Sequence, residues 1–228
     1  SIYKDSKRTQ PKYRVEAQFK INLERAQALK LPAGELKAMS LISEWALAFS
    51  REVELDARES SNYESLCLRN DLKGGYPTGN LVAYCVPPVT LNTYFYPGLP
   101  STSHVTDWPW SGEGTFFQHP QVYTVNRIKT NPNYKWFIGK GLTSNSDPVM
   151  LLRTQFVFGW PVANVDGDEM SEGDYETLLH NFITSFKGKV QTRLDARAAN
   201  ITNSTTEAYA STIDVIIGGD QVEEAALM

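Results

Sequence analysis

Apolar and polar residues alternate along Tyr13–Asn22, near the start of the chain. A period of two residues is typical of a strand that buries one face and exposes the other. This segment therefore predicts a half-buried strand, with a core face formed by Val15, Ala17, Phe19 and Ile21.

The pattern then changes to apolar residues spaced three or four apart, from Gly34 to Leu55. That spacing places the apolar side chains on one face of an α-helix. We therefore predict an amphipathic helix over this range, with a buried stripe of Leu36, Met39, Ile42, Trp45, Phe49 and Val53.

The second half of the chain repeats the order of strand and helix and adds a further strand. Val149–Phe158 is almost continuously apolar, as a central strand would be, and Ser211–Gly219 predicts another strand. Between them, Ser171 opens a predicted helix with acidic residues in its first turn, where the helix dipole favours them. Its predicted buried stripe is Tyr175, Leu178, Leu179, Phe182, Phe186, Val190 and Leu194.

These elements predict a single mixed α/β (α+β) domain over residues 1–228. With one more strand in the middle, for which Thr124–Thr130 is a candidate, the order becomes βαββαβ, a ferredoxin-like sandwich. Residues 1–59 form the first strand–helix half and residues 147–228 the strand–helix–strand half. Residues 60–146, which we call the insert, are too long for a simple connection, so we expect them to be structured.

Composition and charge narrow the class of protein. The content of hydrophobic residues, 41%, is that of a globular domain, and the net charge of −4 argues against a nucleic-acid-binding surface. The sequence contains no run of the ~20 apolar residues that a membrane helix needs. Because the chain begins with Ser1 rather than Met, we expect a mature product or a piece of a longer protein.

The sequence offers little that would support catalysis. His104, His119 and His180 are not spaced as metal ligands, and the motifs for nucleotide cofactors and serine hydrolases are absent. We therefore expect no metal, no cofactor, no catalytic residue and no enzymatic activity. One alternative is a hydrolase in which Cys67 acts as nucleophile with His104 or His119.

Two features indicate an oxidising compartment. The only cysteines, Cys67 and Cys85, flank a segment rich in glycine that can fold back, which favours a disulfide over two buried free thiols. The sequence NITNST contains two consecutive glycosylation sequons, at Asn200 and Asn203. Both features agree with an extracellular or lumenal location.

Aromatic residues are concentrated in the insert, and two interpretations of them are open. They could line an apolar groove for a lipid or another hydrophobic molecule, or they could form the core of the insert itself. The candidates for such a lining are Tyr94, Phe95, Tyr96, Trp108, Trp110, Phe116 and Phe117.

Several segments, taken in order, resemble the first extracytoplasmic domain of Patched-like proteins of the resistance–nodulation–division superfamily. YESLC at Tyr63–Cys67, followed by Cys85 and PPVTLNTYFYP, resembles the cysteine segment of that domain. Asp5 and Ser6 resemble its linker after the first membrane helix, and Phe137–Val162 resembles its glycine turn and apolar strand. Ile213–Met228 resembles its last strand and the acidic connector to the second membrane helix.

The resemblance implies a transporter domain that helps to form a cleft or tunnel for sterols, lipids or other hydrophobic molecules. It implies attachment to a membrane through flanking helices outside this chain, with both ends of the domain close together on one side. A protein partner is a further expectation, and nucleic acid is not. The alternative class is a secreted or cell-surface binding or adhesion module without transport.

Overall fold

The computed structural model describes residues 10–30, 40–68, 85–86, 88–96, 129–130, 134–138, 148–160, 170–199, 211–219 and 222–227. The described strands are β1 (Gln10–Ile21), β2 (Leu151–Trp160), β3 (Ile213–Gly219) and β4 (Val222–Leu227). The described helices are α1 (Leu23–Ala28), α2 (Glu44–Arg58), α3 (Tyr63–Leu66), α4 (Asn92–Phe95), α5 (Lys135–Ile138) and α6 (Glu172–Ala199).

The four described strands form one antiparallel sheet in the order β2-β1-β3-β4. The predicted core face of β1 is buried, and its outer face carries the exposed side chains of Arg14 and Lys20. Helices α2 and α6 cover the buried face, where Phe49 of α2 meets Phe19 edge-to-face and Phe182 of α6 meets Phe158. The domain is therefore a two-layer sandwich of helices on a sheet, and the predicted α+β class is confirmed.

The long helix α6 begins close to where the sequence predicts. The Ser171 side chain accepts a hydrogen bond from the backbone N–H of Asp174 at 3.2 Å, which caps the first turn. All of its predicted stripe is buried except Leu178, which is half-buried, and Ile183 joins it. The period of the apolar residues therefore identified both the helix and the face that it buries.

Helix α2 begins later than predicted. The predicted start, residues 34–39, lies outside the described residues, but Ser40–Ile42 form a turn rather than helix. The backbone N–H of Leu41 donates to the carbonyl of Val149 at 2.8 Å, so this segment is held against the chain entering β2. Ser43 has an extended backbone, and the helix starts only after it.

The sheet agrees in part with a split βαβ arrangement. In that arrangement the first strand lies between the two strands of the second half, as β1 lies between β2 and β3. The candidate strand Thr124–Thr130 is not seen as such, because Lys129 and Thr130 are helical and residues 124–128 lie outside the described residues. The ferredoxin-like fold therefore stays a prediction.

Strand β4 was not predicted: Val222–Leu227, part of the segment that resembles an acidic connector, pairs with β3 as a strand. Gly219 precedes the reversal with φ 154°, and a Cβ there would lie 2.2 Å from the carbonyl oxygen of Arg14, so only glycine fits. The hairpin brings Leu227 level with Phe19, about 30 Å along the sheet from Gln10 at ~3.3 Å per residue. Residues 1–9 lie outside the described residues, so the expectation of adjacent ends stays a prediction.

Candidate functional site

The insert returns to the free edge of β2 at two places. Cys67 forms an isolated bridge with Phe158, and the backbone N–H of Leu68 donates to the carbonyl of Val157 at 3.0 Å. Val89 and Gln155 exchange two backbone hydrogen bonds, of 2.8 and 3.0 Å. These short pairings occupy the edge that a further strand would otherwise take.

The structure contains the predicted disulfide between Cys67 and Cys85, with a Cα–Cα distance of 5.4 Å and a sequence separation of 18. Next to it, the backbone N–H of Val86 donates to the carbonyl of Leu68 at 2.6 Å, so the two segments are joined by a backbone hydrogen bond as well as by the disulfide. In this state Cys67 carries no thiol that could act as a nucleophile.

A buried carboxylate lies where the insert meets the sheet and helix α2. Glu54 of α2 is 4% exposed, and its Oε1 atom accepts hydrogen bonds from three neutral groups. The donors are the hydroxyl of Thr90, the amide of Asn92 at 2.8 Å and the hydroxyl of Thr154 at 2.7 Å. Burial raises the pKa of Glu54 above its ordinary value, since the hydrogen bonds offset only part of the lost hydration.

Asn92 connects this carboxylate to a second buried polar side chain. Its Nδ2 atom also donates to the hydroxyl oxygen of Ser50 at 2.9 Å, while its backbone N–H donates to Thr90 Oγ1 at 3.1 Å. We call Ser50, Glu54, Thr90, Asn92 and Thr154 the polar cluster. It joins α2, the insert and β2 through side-chain hydrogen bonds alone.

We did not predict the polar cluster, although a partial signal is present in the sequence. Ser50 and Glu54 are four residues apart, so they share a helix face directly beside the apolar stripe that contains Phe49 and Val53. A charged residue so placed can mark a buried polar group. Its partners Thr90 and Asn92 come from the insert, and no local pattern indicates that they would meet it.

The aromatic candidates separate into exposed and buried residues. Tyr94 is 43% exposed, whereas Phe95 and Tyr96 are buried in the core. Burial raises the pKa of Tyr96, and the guanidinium of Arg51 lies 4.6 Å from its ring centre. Tyr94 is thus the only described candidate that can meet a ligand at the surface. The other candidates lie outside the described residues, namely Trp108, Trp110, Phe116 and Phe117.

Helix α5 and Tyr134, the residue before it, place further aromatic rings beside Tyr94, and these we did not predict. The ring of Tyr134 meets that of Tyr94 edge-to-face at 5.6 Å, and the two hydroxyl oxygens are 3.5 Å apart. Phe137 follows at 6.3 Å from Tyr134, and Trp136 packs against Phe137 at 5.0 Å. We call these four residues the aromatic patch. Two separated stretches of the insert form it, so spacing in the sequence could not reveal it.

Other expectations are tested only where the structure describes the chain. Within that part, no three or more His, Cys, Asp and Glu residues are grouped so that they could hold a metal ion. None of the described helices combines the length and the apolar character required to cross a membrane. Asn200 and Asn203, like His104 and His119, lie outside the described residues.

The chain is similar to Dispatched homolog 3 of vertebrates. It is 25% identical over 136 residues to the protein of Gallus gallus, covering 59% of this chain and 10% of that protein. It is 25% identical over 163 residues to the protein of Homo sapiens, covering 71% of this chain and 11% of that protein. The chain therefore spans about a tenth of the length of these relatives. No protein-family model and no solved structure matches it.

This similarity supports a loose relation to Patched-like membrane proteins, among which Dispatched homolog 3 is placed. It agrees with the family that the cysteine segment and the strand order suggest. Together with the disulfide, it is consistent with a domain on the extracellular or lumenal side of a membrane.

Proposed function

We propose that this chain is an extracytoplasmic domain of a Patched-like membrane transporter that helps to form the path of a sterol, lipid or other hydrophobic molecule. The observation that carries the proposal is the similarity to Dispatched homolog 3 over 59 to 71% of the chain. The membrane would be reached through flanking helices outside this chain. The proposal gives this domain no catalytic step and no cofactor.

The structure supports an extracytoplasmic location through its disulfide. Disulfides persist in oxidising compartments and are rare in the cytosol. The bond between Cys67 and Cys85 joins two segments of the insert beside the edge of β2. It therefore stabilises the contact between the insert and the sheet.

We infer that the frame is a ferredoxin-like sandwich in which the insert takes the place of the second strand. The order β2-β1-β3 supports this, since it matches the third, first and fourth strands of the split βαβ pattern. The pairings of Cys67 and Val89 with β2 lie at the edge where that pattern carries its second strand.

The aromatic patch is the described surface best suited to contact a hydrophobic molecule. Tyr94 and Tyr134 offer ring faces with a polar hydroxyl at the end, a combination that suits a ligand with an apolar body and one polar group. The proposal extends this lining to Trp108, Trp110, Phe116 and Phe117. Phe95 and Tyr96 belong to the core instead.

Photolabelling of the full-length protein in its membrane tests this function. A photoreactive sterol and a photoreactive phospholipid would be applied to wild type, Tyr94→Ala and Leu23→Ala. Leu23 is a matched control, because it is 48% exposed and lies on α1, which is tied to β3 through Arg25 and Asp214. We expect one probe to label the wild type and Leu23→Ala equally, and Tyr94→Ala several-fold less.

Two results would contradict the proposal. Equal labelling of all three proteins would show that the aromatic patch does not line the path of the hydrophobic molecule. No labelling of the wild type by either probe, in a protein that reaches the cell surface folded, would favour a binding or adhesion module without transport.

A further inference from the structure

Glu54 is held by parts of the chain that are far apart in sequence. Of the three donors to its Oε1 atom, Thr90 and Asn92 belong to the insert segment 88–96 and Thr154 belongs to β2. Helix α2, strand β2 and segment 88–96 share the main core, to which the segment contributes Leu91, Phe95 and Tyr96. The segment is also joined to the sheet by the backbone pair of Val89 and Gln155. The side chain of Glu54 therefore forms much of the polar attachment of this segment.

We propose that Glu54 is a proton-controlled tether, which holds segment 88–96 of the insert against α2 and β2 when its carboxyl group is protonated and loosens it when the proton leaves. This inference is independent of the proposed transport function, since it rests on the polar cluster alone. It concerns how firmly the insert, and with it Tyr94 of the aromatic patch, is fixed to the frame.

Burial favours the neutral form of Glu54, while its three hydrogen bonds and the positive charge of Arg58 offset only part of that effect. The groups that touch Oε1 are two hydroxyls and one amide, so none of them neutralises a carboxylate. On α2 itself, the positive charge of Arg58 acts on Glu54 from one turn further along the helix. From α3, Tyr63 faces the cluster, and burial raises the pKa of its hydroxyl to about 12, so it stays neutral.

Among the other charged residues of α2, Arg51 lies against the ring of Tyr96 in segment 88–96, whereas two acidic residues contact α6. Asp56 and Glu52 form ion pairs with Arg193 and Arg197 of α6. On β2, Arg153 is on the opposite face of the sheet from Thr154 and donates to the carbonyl of Trp136 at 3.4 Å. Three hydrogen bonds and the charge of Arg58 replace only part of the hydration that an ionised Glu54 loses on burial, and it regains that hydration when segment 88–96 opens.

The sign of the pH dependence follows from proton linkage. In the open segment Glu54 is hydrated and has an ordinary pKa of about 4.3. In the closed segment burial raises the pKa, so between the two values the closed form binds more protons. Opening therefore increases with pH within this window, by up to about tenfold per pH unit, and is insensitive to pH below it.

Hydrogen–deuterium exchange of the whole chain tests the tether. Protection would be measured from pH 4.5 to 8, after correction for the intrinsic pH dependence of exchange, at the backbone N–H groups of Val89, Asn92 and Tyr94. These N–H groups are hydrogen-bonded to Gln155, Thr90 and Leu91 in the closed form. We expect their protection to fall as pH rises, while the backbone N–H of Phe19 in β1 stays protected.

Two variants assign the effect to Glu54. Glu54→Gln keeps an oxygen that can accept the same three hydrogen bonds but cannot ionise, so its protection should not vary with pH. Glu59→Gln removes an exposed carboxylate just beyond α2, whose contact with Lys189 is 3.5 Å, and should behave as wild type. Protection that is constant in the wild type, or that falls equally in Glu54→Gln, would overturn the proposal.

A direct titration covers the case in which Glu54→Gln does not fold. Carbon-13 spectra of the wild-type protein would follow the carboxyl group of Glu54 together with the amide of Asn92. We expect both to change with one midpoint above the ordinary glutamate value. A midpoint at or below that value, or an Asn92 amide that does not follow it, would refute the tether.

Discussion

Arg193 of α6 donates two hydrogen bonds to the carboxylate of Asp56 on α2, from Nε to Oδ2 and from Nη2 to Oδ1, the second at 2.7 Å. This two-point pairing raises the pKa of Arg193 and fixes the position of its planar guanidinium. Glu52 extends the contact, as it accepts from Arg193 Nη1 at 3.0 Å and from Arg197. The two helices of the outer layer are thus joined by charge above a shared apolar core.

Replacing this guanidinium should destabilise the domain. We expect Arg193→Gln to lower the free energy of unfolding by about 1–3 kcal/mol, because it leaves the largely buried Asp56 without its charged donors. Urea denaturation at neutral pH measures the change. The control is Lys189→Gln on the same helix, which breaks an exposed pair at 3.5 Å and should cost less than about 0.5 kcal/mol. Equal effects would show that the Arg193 pair contributes no more than a surface contact.

The disulfide should stabilise the folded chain through the loop that it closes. For a separation of 18 residues, loop-closure entropy predicts a loss of about 3 kcal/mol in the free energy of unfolding when the bond is absent. The midpoint of urea unfolding would be compared with and without reductant, using the double variant Cys67→Ser/Cys85→Ser as control. The variant should unfold at the lower midpoint under both conditions; a reductant effect in the variant would assign the change to another cause.

The frame was predictable because its elements bury one regular face each. The alternation that ends at Ile21 and the three-to-four spacing from Tyr175 to Leu194 both reflect packing on a single core, which one sequence can reveal. The start of α2 was not predictable. The helical spacing of apolar residues already includes Ile42, but the backbone N–H of Leu41 is bonded to Val149, and the helix begins only at Glu44. That bond joins residues distant in sequence and leaves no local pattern.

Within the candidate site, the sequence predicted the disulfide, because a cysteine that forms a disulfide needs a second cysteine. The chain has two cysteines, Cys67 and Cys85, and they form that bond. Tyr94 and Phe95 are adjacent aromatics of one helical turn, and only the tertiary fold decides that one is exposed and the other buried. Glu54 meets Thr90 and Thr154 across the whole insert, so its role follows from the fold and not from spacing.

Phe182 of α6 should be among the residues most important for stability. Its ring contacts those of Tyr63, Phe158 and Phe186 at centroid distances of 4.8 to 6.0 Å, and it is fully buried. Phe182→Ala should reduce the free energy of unfolding by about 3–5 kcal/mol, since it removes contacts and leaves a cavity. His180→Ala, an exposed position two residues earlier, should change it by less than about 0.5 kcal/mol. Urea denaturation of both variants makes the comparison. A small loss at Phe182 would mean that α6 does not pack on β2 as described.

The two sequons provide a test of location that is separate from the disulfide. Asn200-Ile-Thr and Asn203-Ser-Thr are acceptors for glycans only on the lumenal side of the secretory pathway. In the full-length protein made in animal cells, we expect treatment with a peptide N-glycosidase to increase the gel mobility of the wild type. Asn200→Gln/Asn203→Gln should show no increase.

Asn181→Gln is the matched control, because Asn181 is exposed on α6 and is followed by Phe182 and Ile183, so it is no acceptor. Its mobility should change on treatment as the wild type does. If the wild type shows no change while the Cys67–Cys85 bond is intact in the same sample, the sequons are unused, and the extracytoplasmic location would then depend on the disulfide alone. If the wild type shows no change and both cysteines react as free thiols, the domain faces the cytosol and the transporter assignment fails. The state of the cysteines therefore distinguishes a lumenal domain whose sequons are unused from a domain that faces the cytosol.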